Sequence, residues 1–285
     1  MGKMLHKDRR VYNGSWRADE YKNIGVLIEH TGSWYHGMFS ASSKFGYGCS
    51  FSVYEGAVYE GHFANGKAEG HGWWFDIEGS SYRGEWTGGK RNGSGVYYFA
   101  PGAPTFTSNQ SQTGAAKHDG SAAAWPIPLG SDVVLYDGEW VAGLRQGDGR
   151  AWYAKGEYYT GHFEAGQRAG EGTTVFGILD DTHIHSITGS YESGLLHGRG
   201  SMEARDGGLW RASWERGQPV GDVKLMQRAP SLATVRPRQA ATHAYIERER
   251  RERQVAMRRV RQQLATASLR LAPNMIFPEV DEMAL

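Results

Sequence analysis

The run Tyr82-Arg83-Gly84-Glu85-Trp86-Thr87-Gly88-Gly89-Lys90-Arg91-Asn92-Gly93-Ser94-Gly95 decides how this chain folds. Tyr, Gly and Trp at its first, third and fifth places alternate with polar residues, the period of a strand whose odd positions share one face. Gly93 and Gly95 resume the alternation after a short polar stretch in which glycine supplies the positive φ that a turn requires. The run therefore reads as a β-hairpin, and no helical period survives so much glycine.

The same template stands 23 residues earlier, 82 − 59 = 23, as Tyr59, Gly61, Phe63, Gly66, Gly70 and Gly72. Eight repeats can be counted, beginning at Tyr12, Tyr35, Tyr59, Tyr82, Tyr136, Tyr159, Ile187 and Trp210, with the outermost ones departing furthest from the template. Self-similarity at a fixed period marks a repeat architecture in which each unit is one supersecondary element stacked on its neighbours. The fold class is all-β: an elongated, single-layer, twisted antiparallel sheet of stacked hairpins, followed by a long C-terminal α-helix.

Glycine inside a strand costs roughly 0.5–1 kcal/mol relative to alanine, so a chain with 40 glycines must gain something from them. The expected gain is room, the Trp or Phe of an adjacent repeat lying flat over the vacant position. Burying one such ring removes about 150–250 Å² from water, worth about 4–6 kcal/mol. Ordering a repeat costs roughly 1.5 kcal/mol per residue, so one hairpin alone should not fold and only the array can.

The boundaries follow from changes of pattern. The array spans 1–223, interrupted at 101–132 by a stretch rich in Ala, Gly, Ser, Thr and Pro that reads as a long loop. A linker covers 224–237, a basic helix 238–272 and an apolar tail 273–285. Within the helix Met257, Val260, Leu264, Ala267 and Leu271 form a narrow apolar stripe. Between Arg238 and Arg270 nine Arg and three Glu give about +6, leaving about −5 on the rest of a chain whose net charge is +1. Such a helix suits an acidic protein surface, an anionic membrane or RNA, and its stripe is too narrow for a membrane-lying helix, which favours a protein partner.

Several classes are disfavoured. The single Cys49 excludes an intrachain disulfide framework. No apolar run reaches bilayer-spanning length, the N-terminus lacks a signal-peptide hydrophobic region, and His6 stands where a myristoylation site needs Ser or Thr, so a soluble intracellular protein is expected. The Gly-x-Gly pairs lack the third glycine of a nucleotide fingerprint, Phe75 and Trp152 occupying that place. Asp180, Asp181, His183 and His185 could be drawn as metal ligands but read as a polar connection. No Gly-x-Ser-x-Gly elbow, paired Cys or His-Glu-x-x-His motif is present. No enzyme activity, cofactor or metal is expected.

The pentads Tyr82-Arg83-Gly84-Glu85-Trp86 and Tyr136-Asp137-Gly138-Glu139-Trp140 resemble the consensus of the MORN (membrane occupation and recognition nexus) repeat family, and the resemblance runs from about Val11 to Val223. It implies a sheet of hairpins with an aromatic-lined groove, of the kind that serves as a scaffold in cytoskeletal, ciliary and membrane-contact assemblies. Tyr98-Phe99-Ala100-Pro101, Gly149-Arg150-Ala151-Trp152-Tyr153 and Phe277-Pro278-Glu279-Val280 are similar to axoneme- and sperm-associated members of that family. The expectation is a cytoplasmic, non-enzymatic scaffold of a ciliary or flagellar axoneme. Gly61, Gly84, Gly138 and Gly161 define its repeats. Trp16, Phe39, Phe63, Trp86, Trp140, Phe163, Tyr191 and Trp214 pack between repeats and grip a partner peptide or helix. Arg250, Arg251, Met257, Arg258, Val260, Arg261 and Leu264 contact an axonemal or other cytoskeletal protein, tubulin or a coiled coil. Nucleic acid is not an expected partner, and a peripheral membrane adaptor on anionic phospholipid is the alternative.

Overall fold

A computed structural model describes residues 2–100, 133–154, 156–177, 184–227, 244–259 and 262. Two compact units divide the chain, one formed by 1–100 with 240–285 and the other by 101–239. In the first unit the strands are β1 (Gly2–Leu5), β2 (Val11–Arg17), β3 (Glu20–Ile28), β4 (Trp34–Ser40), β5 (Ser43–Ser52), β6 (Ala57–Ala64), β7 (Lys67–Asp76), β8 (Ser81–Thr87) and β9 (Lys90–Tyr98). In the second they are β10 (Val133–Val141), β11 (Leu144–Tyr153), β12 (Tyr158–Glu164), β13 (Gln167–Val175), β14 (Ile184–Glu192), β15 (Leu195–Ala204), β16 (Leu209–Glu215) and β17 (Gln218–Gln227). Within each unit every strand pairs antiparallel with the next in sequence, as a row of local hairpins must. The short β1, which the repeat pattern does not announce, pairs with β2 at the edge of the first unit.

Each repeat closes on a two-residue turn in which both residues have positive φ. Asn65 (49°) and Gly66 (80°) join β6 to β7, and Ala165 (48°) and Gly166 (84°) join β12 to β13. This is the turn whose twist matches that of the flanking strands. Just beyond it the ladder slips, so that Gly61 faces Gly72 while Phe63 faces Ala68, and Gly70 at φ 66° absorbs the extra residues. The slip restores the paired glycines to the same level in every repeat but the last, Gly84 opposite Gly95 and Gly138 opposite Gly149 among them.

Those glycines are vacated for a different ring from the one expected. In the repeats beginning at Tyr12, Tyr35, Tyr59, Tyr82, Tyr136 and Tyr159 the tyrosine of the same repeat lies over the pair, whereas at Gly200, in the Ile187 repeat, the following repeat's Trp214 does, its Nε1 3.2 Å from a Cβ built there. A Cβ on Gly61 would stand 2.6 Å from the Tyr59 hydroxyl and 2.6 Å from the Gly72 Cα. The phenol is chosen because its hydroxyl reaches across the glycine pair and donates to a backbone carbonyl three residues on. Tyr59 donates to His62 O at 3.0 Å, Tyr82 to Glu85 O at 3.0 Å and Tyr136 to Glu139 O at 3.0 Å. Neither Phe nor the indole of Trp carries a donor at that reach. Where the tyrosine is missing, the demand relaxes: beneath Ile187 the nearest atoms to a Cβ on Gly189 lie at 3.1 and 3.2 Å, and the last repeat carries Ala212 in the glycine slot.

The rings at the fifth place join the repeats together. Tyr35 meets Phe39 of its own repeat at 5.0 Å and Phe63 of the next at 4.9 Å, and Tyr59 meets Phe63 at 5.0 Å and Trp86 at 5.1 Å. All four contacts are edge-to-face, the geometry that ring quadrupoles favour. In the second unit Tyr136 and Tyr159 each touch Phe163 in the same manner. Within the units Tyr12, Tyr35, Tyr59, Tyr136 and Tyr159 thus each seal their own hairpin and clasp the following one.

The C-terminal helix is shorter than expected. Its described part, α1 at 244–259, has 16 residues, and 262 is also helical, while 238–243, 260, 261 and the rest of the expected span to 272 lie outside the described residues. A helix of this length is marginal in water by itself, so packing must hold it. That packing comes from the first unit's sheet, on the face opposite the tyrosines: Ala256 is buried against Phe75, with Val58, Trp73 and Met257 around them. The single layer is therefore double where α1 lies.

Candidate interaction surfaces

Each sheet has two faces of different chemistry. On the ring face, Phe39, Phe63, Trp86, Trp140, Phe163, Tyr191 and Trp214 are buried, and only Trp16, next to β1, is partly open. Gly61, Gly84, Gly138 and Gly161 lie under Tyr59, Tyr82, Tyr136 and Tyr159. The rings are thus spent largely on one another. A cation ladder unforeseen in the sequence stands across the hairpin from them, with Lys44 opposite Phe39, Arg91 opposite Trp86, Arg145 opposite Trp140 and Arg168 opposite Phe163.

These cations lie on aromatic faces. Lys44 Nζ is 5.2 Å from the Tyr35 centroid, and the Arg145 guanidinium is 5.4 Å from that of Phe163. Burial lowers the pKa of Lys44, Arg91 and Arg145. Arg168 is buried deepest and is held on three sides, by Tyr153 Oη at 2.9 Å, Glu157 Oε1 at 2.9 Å and Thr174 Oγ1 at 3.1 Å. Its guanidinium is consumed internally. The sequence signal for the ladder was available, since these basic residues recur at one fixed place after the turn.

The opposite face of the first unit carries the helix. Arg83 on β8 bridges two glutamates of α1, Glu249 at 2.8 Å and Glu252 at 2.8 Å. Glu60 on β6, itself buried, receives Arg259 at 3.1 Å and the Tyr47 hydroxyl at 2.6 Å. Arg253 lies over the Tyr98 ring at 4.2 Å and donates to Gly79 O. Burial pushes the Tyr47 phenol up to about 12, helped by its bond to Glu60. Sequence reading did not pick out Glu249, Glu252, Arg253 or Arg259 as docking residues. Their complements Glu60 and Arg83 sit at the second place of successive repeats, where polar residues looked merely solvent-facing.

Of the helix residues singled out from sequence, Met257 is half-buried in the Phe75 contact, whereas Arg250, Arg251 and Arg258 are exposed. Val260, Arg261 and Leu264 lie outside the described residues. Arg248, Arg251, Val255, Arg258 and Gln262 are all exposed, and their spacing places them along one outward side of the helix. Docked, α1 thus shows solvent a mainly basic ridge.

In the second unit the face opposite the rings is polar and shallowly concave. A depression of about 610 Å³ is floored by Arg150, Thr160, Thr173 and Thr188 with Asp137, Asp148 and Glu171 among its lining. Of the metal-ligand candidates, His185 is buried, and Asp180, Asp181 and His183 lie outside the described residues. Among the described residues no group of three or more His, Cys, Asp and Glu is placed to hold a metal. Burial raises the Cys49 thiol to about 12, which removes its nucleophilicity near neutrality. No described helix is long and apolar enough to cross a membrane.

Comparison of the sequence with known families matches five segments to one of them. Residues 59–80, 82–103, 136–158, 159–178 and 188–209 each match the MORN repeat. The hairpins beginning at Tyr12 and Tyr35, outside the matched segments, carry the same tyrosine over the same glycine pair. MORN repeats indicate a repeat scaffold for protein or membrane binding and are generally non-catalytic.

Proposed function

We propose that this protein is a non-enzymatic scaffold of a ciliary or flagellar axoneme, joining a cytoskeletal partner to a second protein through two separate surfaces. The observation that carries this reading is the division of labour on α1. Its inward side is fixed to the sheet by Arg83–Glu249, Arg83–Glu252 and Arg259–Glu60, which leaves Arg248, Arg251 and Arg258 free of sheet contacts and turned outward. A rigid row of guanidinium groups suits an acidic filament surface such as tubulin or an axonemal coiled coil. The ring face is the second surface. A peptide or helix laid along it meets Trp16, the edges of the ring stripe and the rims of Lys44 and Arg145, a combination that favours acidic and aromatic side chains.

Two measurements test this. The tagged protein, expressed in ciliated cells, should accumulate along the axoneme, and deleting 238–285 should release it. Purified protein should co-sediment with microtubules, and R251E/R258E should abolish that while α1 remains docked. Retention on phosphoinositide vesicles in place of microtubules through one salt series would instead make the arginine row a membrane contact, and loss of both would refute an electrostatic anchor.

A further inference from the structure

On the second unit, the face opposite the rings carries a row of carboxylates that runs across the strands. Gly138 on β10 pairs with Gly149 on β11, so Glu139, which follows the one, stands beside Asp148, which precedes the other, and its carboxylate lies against Gly147. Asp148 pairs in register with His162 on β12, and Glu171 on β13 with Ser190 on β14. Glu139, Asp148 and Glu171 are all exposed, and the last two border the depression on this face. Two contacts position them: Asp148 lies 3.3 Å from His162 Nδ1, and Glu171 accepts from the Ser190 hydroxyl. Arg150 stands in the neighbouring row, opposite Asp137.

The first unit shows how such a face holds a helix. Glu252 and Arg259 of α1, seven residues apart, reach Arg83 on β8 and Glu60 on β6, two strands apart. Seven residues of helix rise about 10.5 Å and two strand spacings make about 9.6 Å, so a helix lying across the strands meets one repeat for every seven residues. The outward ridge of α1 fits the carboxylate row of the second unit by the same rule. Arg248 and Arg251 are about 4.5 Å apart along the helix axis, and Arg251 and Arg258 about 10.5 Å. From Glu139 to Asp148 is one strand, about 4.8 Å, and from Asp148 to Glu171 two strands, about 9.6 Å. Three exposed arginines at steps of three and seven residues therefore fall over three exposed carboxylates at steps of one and two strands.

We propose that α1 of one copy of this protein lies on the second unit of another copy, with Arg248, Arg251 and Arg258 over Glu139, Asp148 and Glu171. The division of charge along the chain favours a second copy as the occupant, since about +6 is gathered between Arg238 and Arg270 and about −5 is spread over the rest. The contact is heterologous, each copy offering one ridge and one row. It goes beyond the filament reading and limits it: a copy whose arginines lie on a carboxylate row cannot present them to a filament at the same time.

Sedimentation equilibrium of the full-length protein tests the contact. At low salt the mean mass should rise with concentration above that of one chain, and at about 0.5 M salt it should return to it, because exposed ion pairs are weak and screened. R251E/R258E and D148K/E171K should each weaken association about tenfold or more. An equimolar mixture of the two variants should restore it, since the native ridge of one meets the native row of the other. Should either reversal fail to fold, R251Q/R258Q and D148N/E171N carry the same mixing test. A parent that stays monomeric at low salt, association indifferent to either pair of substitutions, or folded variants that do not associate when mixed would each overturn the proposal.

Discussion

Substituting alanine at Gly72 should be among the most destabilising single-methyl additions this chain can suffer, and the cause should be one ring. The nearest atoms to a Cβ at that position all belong to the Tyr59 side chain, and they overlap it. Either the ring lifts, or the strand moves away from β6. Overpacking of this kind costs about 1–3 kcal/mol, and losing the Tyr59–His62 carbonyl bond adds about 1 kcal/mol, so G72A should lower stability by about 2–4 kcal/mol. The reasoning has a sharper form as a double-mutant cycle. With Tyr59→Ile the three atoms nearest that Cβ are removed, leaving the arrangement of the equivalent Gly200 beneath Ile187, where the nearest atoms are Thr188 O at 2.9 Å and Trp214 Nε1 at 3.2 Å, so G72A should then cost less than beneath Tyr59 by about 1 kcal/mol or more. The assay is equilibrium urea unfolding followed by tryptophan fluorescence, with G189A as a control expected within about 1 kcal/mol of the parent. Additive effects of Y59I and G72A, with no coupling, would refute the account of why glycine stands there.

The remaining predictions concern other parts of the molecule. R83A leaves the buried Glu249 only its longer contact with Arg248 at 3.6 Å, at a cost of about 2–3 kcal/mol, so amide exchange in 244–259 should rise about 30- to 160-fold while exchange in β10–β17 is unchanged. Ala142 and Ala165 occupy the first turn position at φ 52° and 48°, where asparagine is better suited, so A142N and A165N should each stabilise by about 0.5–1 kcal/mol in thermal denaturation. Burial foremost raises the phenol pKa of Tyr35, Tyr59, Tyr82, Tyr136 and Tyr159. Because the folded values lie above the unfolded one, that stabilisation is complete below about pH 10 and is lost as pH climbs through the folded range. Five such groups give a slope of about 7 kcal/mol per pH unit, and phenolate absorbance should appear abruptly with unfolding rather than as a gradual titration.

Much of the fold could be read from the chain because a two-residue period, a turn and a glycine pair are local signals, each written within one repeat. The strand pattern at Tyr82–Gly95 is as clear in the sequence as in the ladder of β8 and β9. Which ring would fill the glycine vacancy was less accessible. Choosing between Tyr59 and a neighbouring Trp86 depends on the reach of a hydroxyl across a pleat, a three-dimensional quantity. The docking of α1 was hidden for another reason: Glu60 and Glu249 are charged, 189 residues apart (249 − 60 = 189), and each alone reads as a solvated surface residue. Only pairing with Arg259 and Arg83 makes their burial tolerable.

The double duty of tyrosines such as Tyr35 and Tyr59, sealing one hairpin and clasping the next, gives successive modules interchangeable joints. In the stretch where Tyr59 and Tyr82 follow one another, excising a whole 23-residue module would bring matching joints together again, whereas removing any other number would not. Array length is thus open to change in whole steps by duplication or loss, so reach between partners can be adjusted without redesigning the parts.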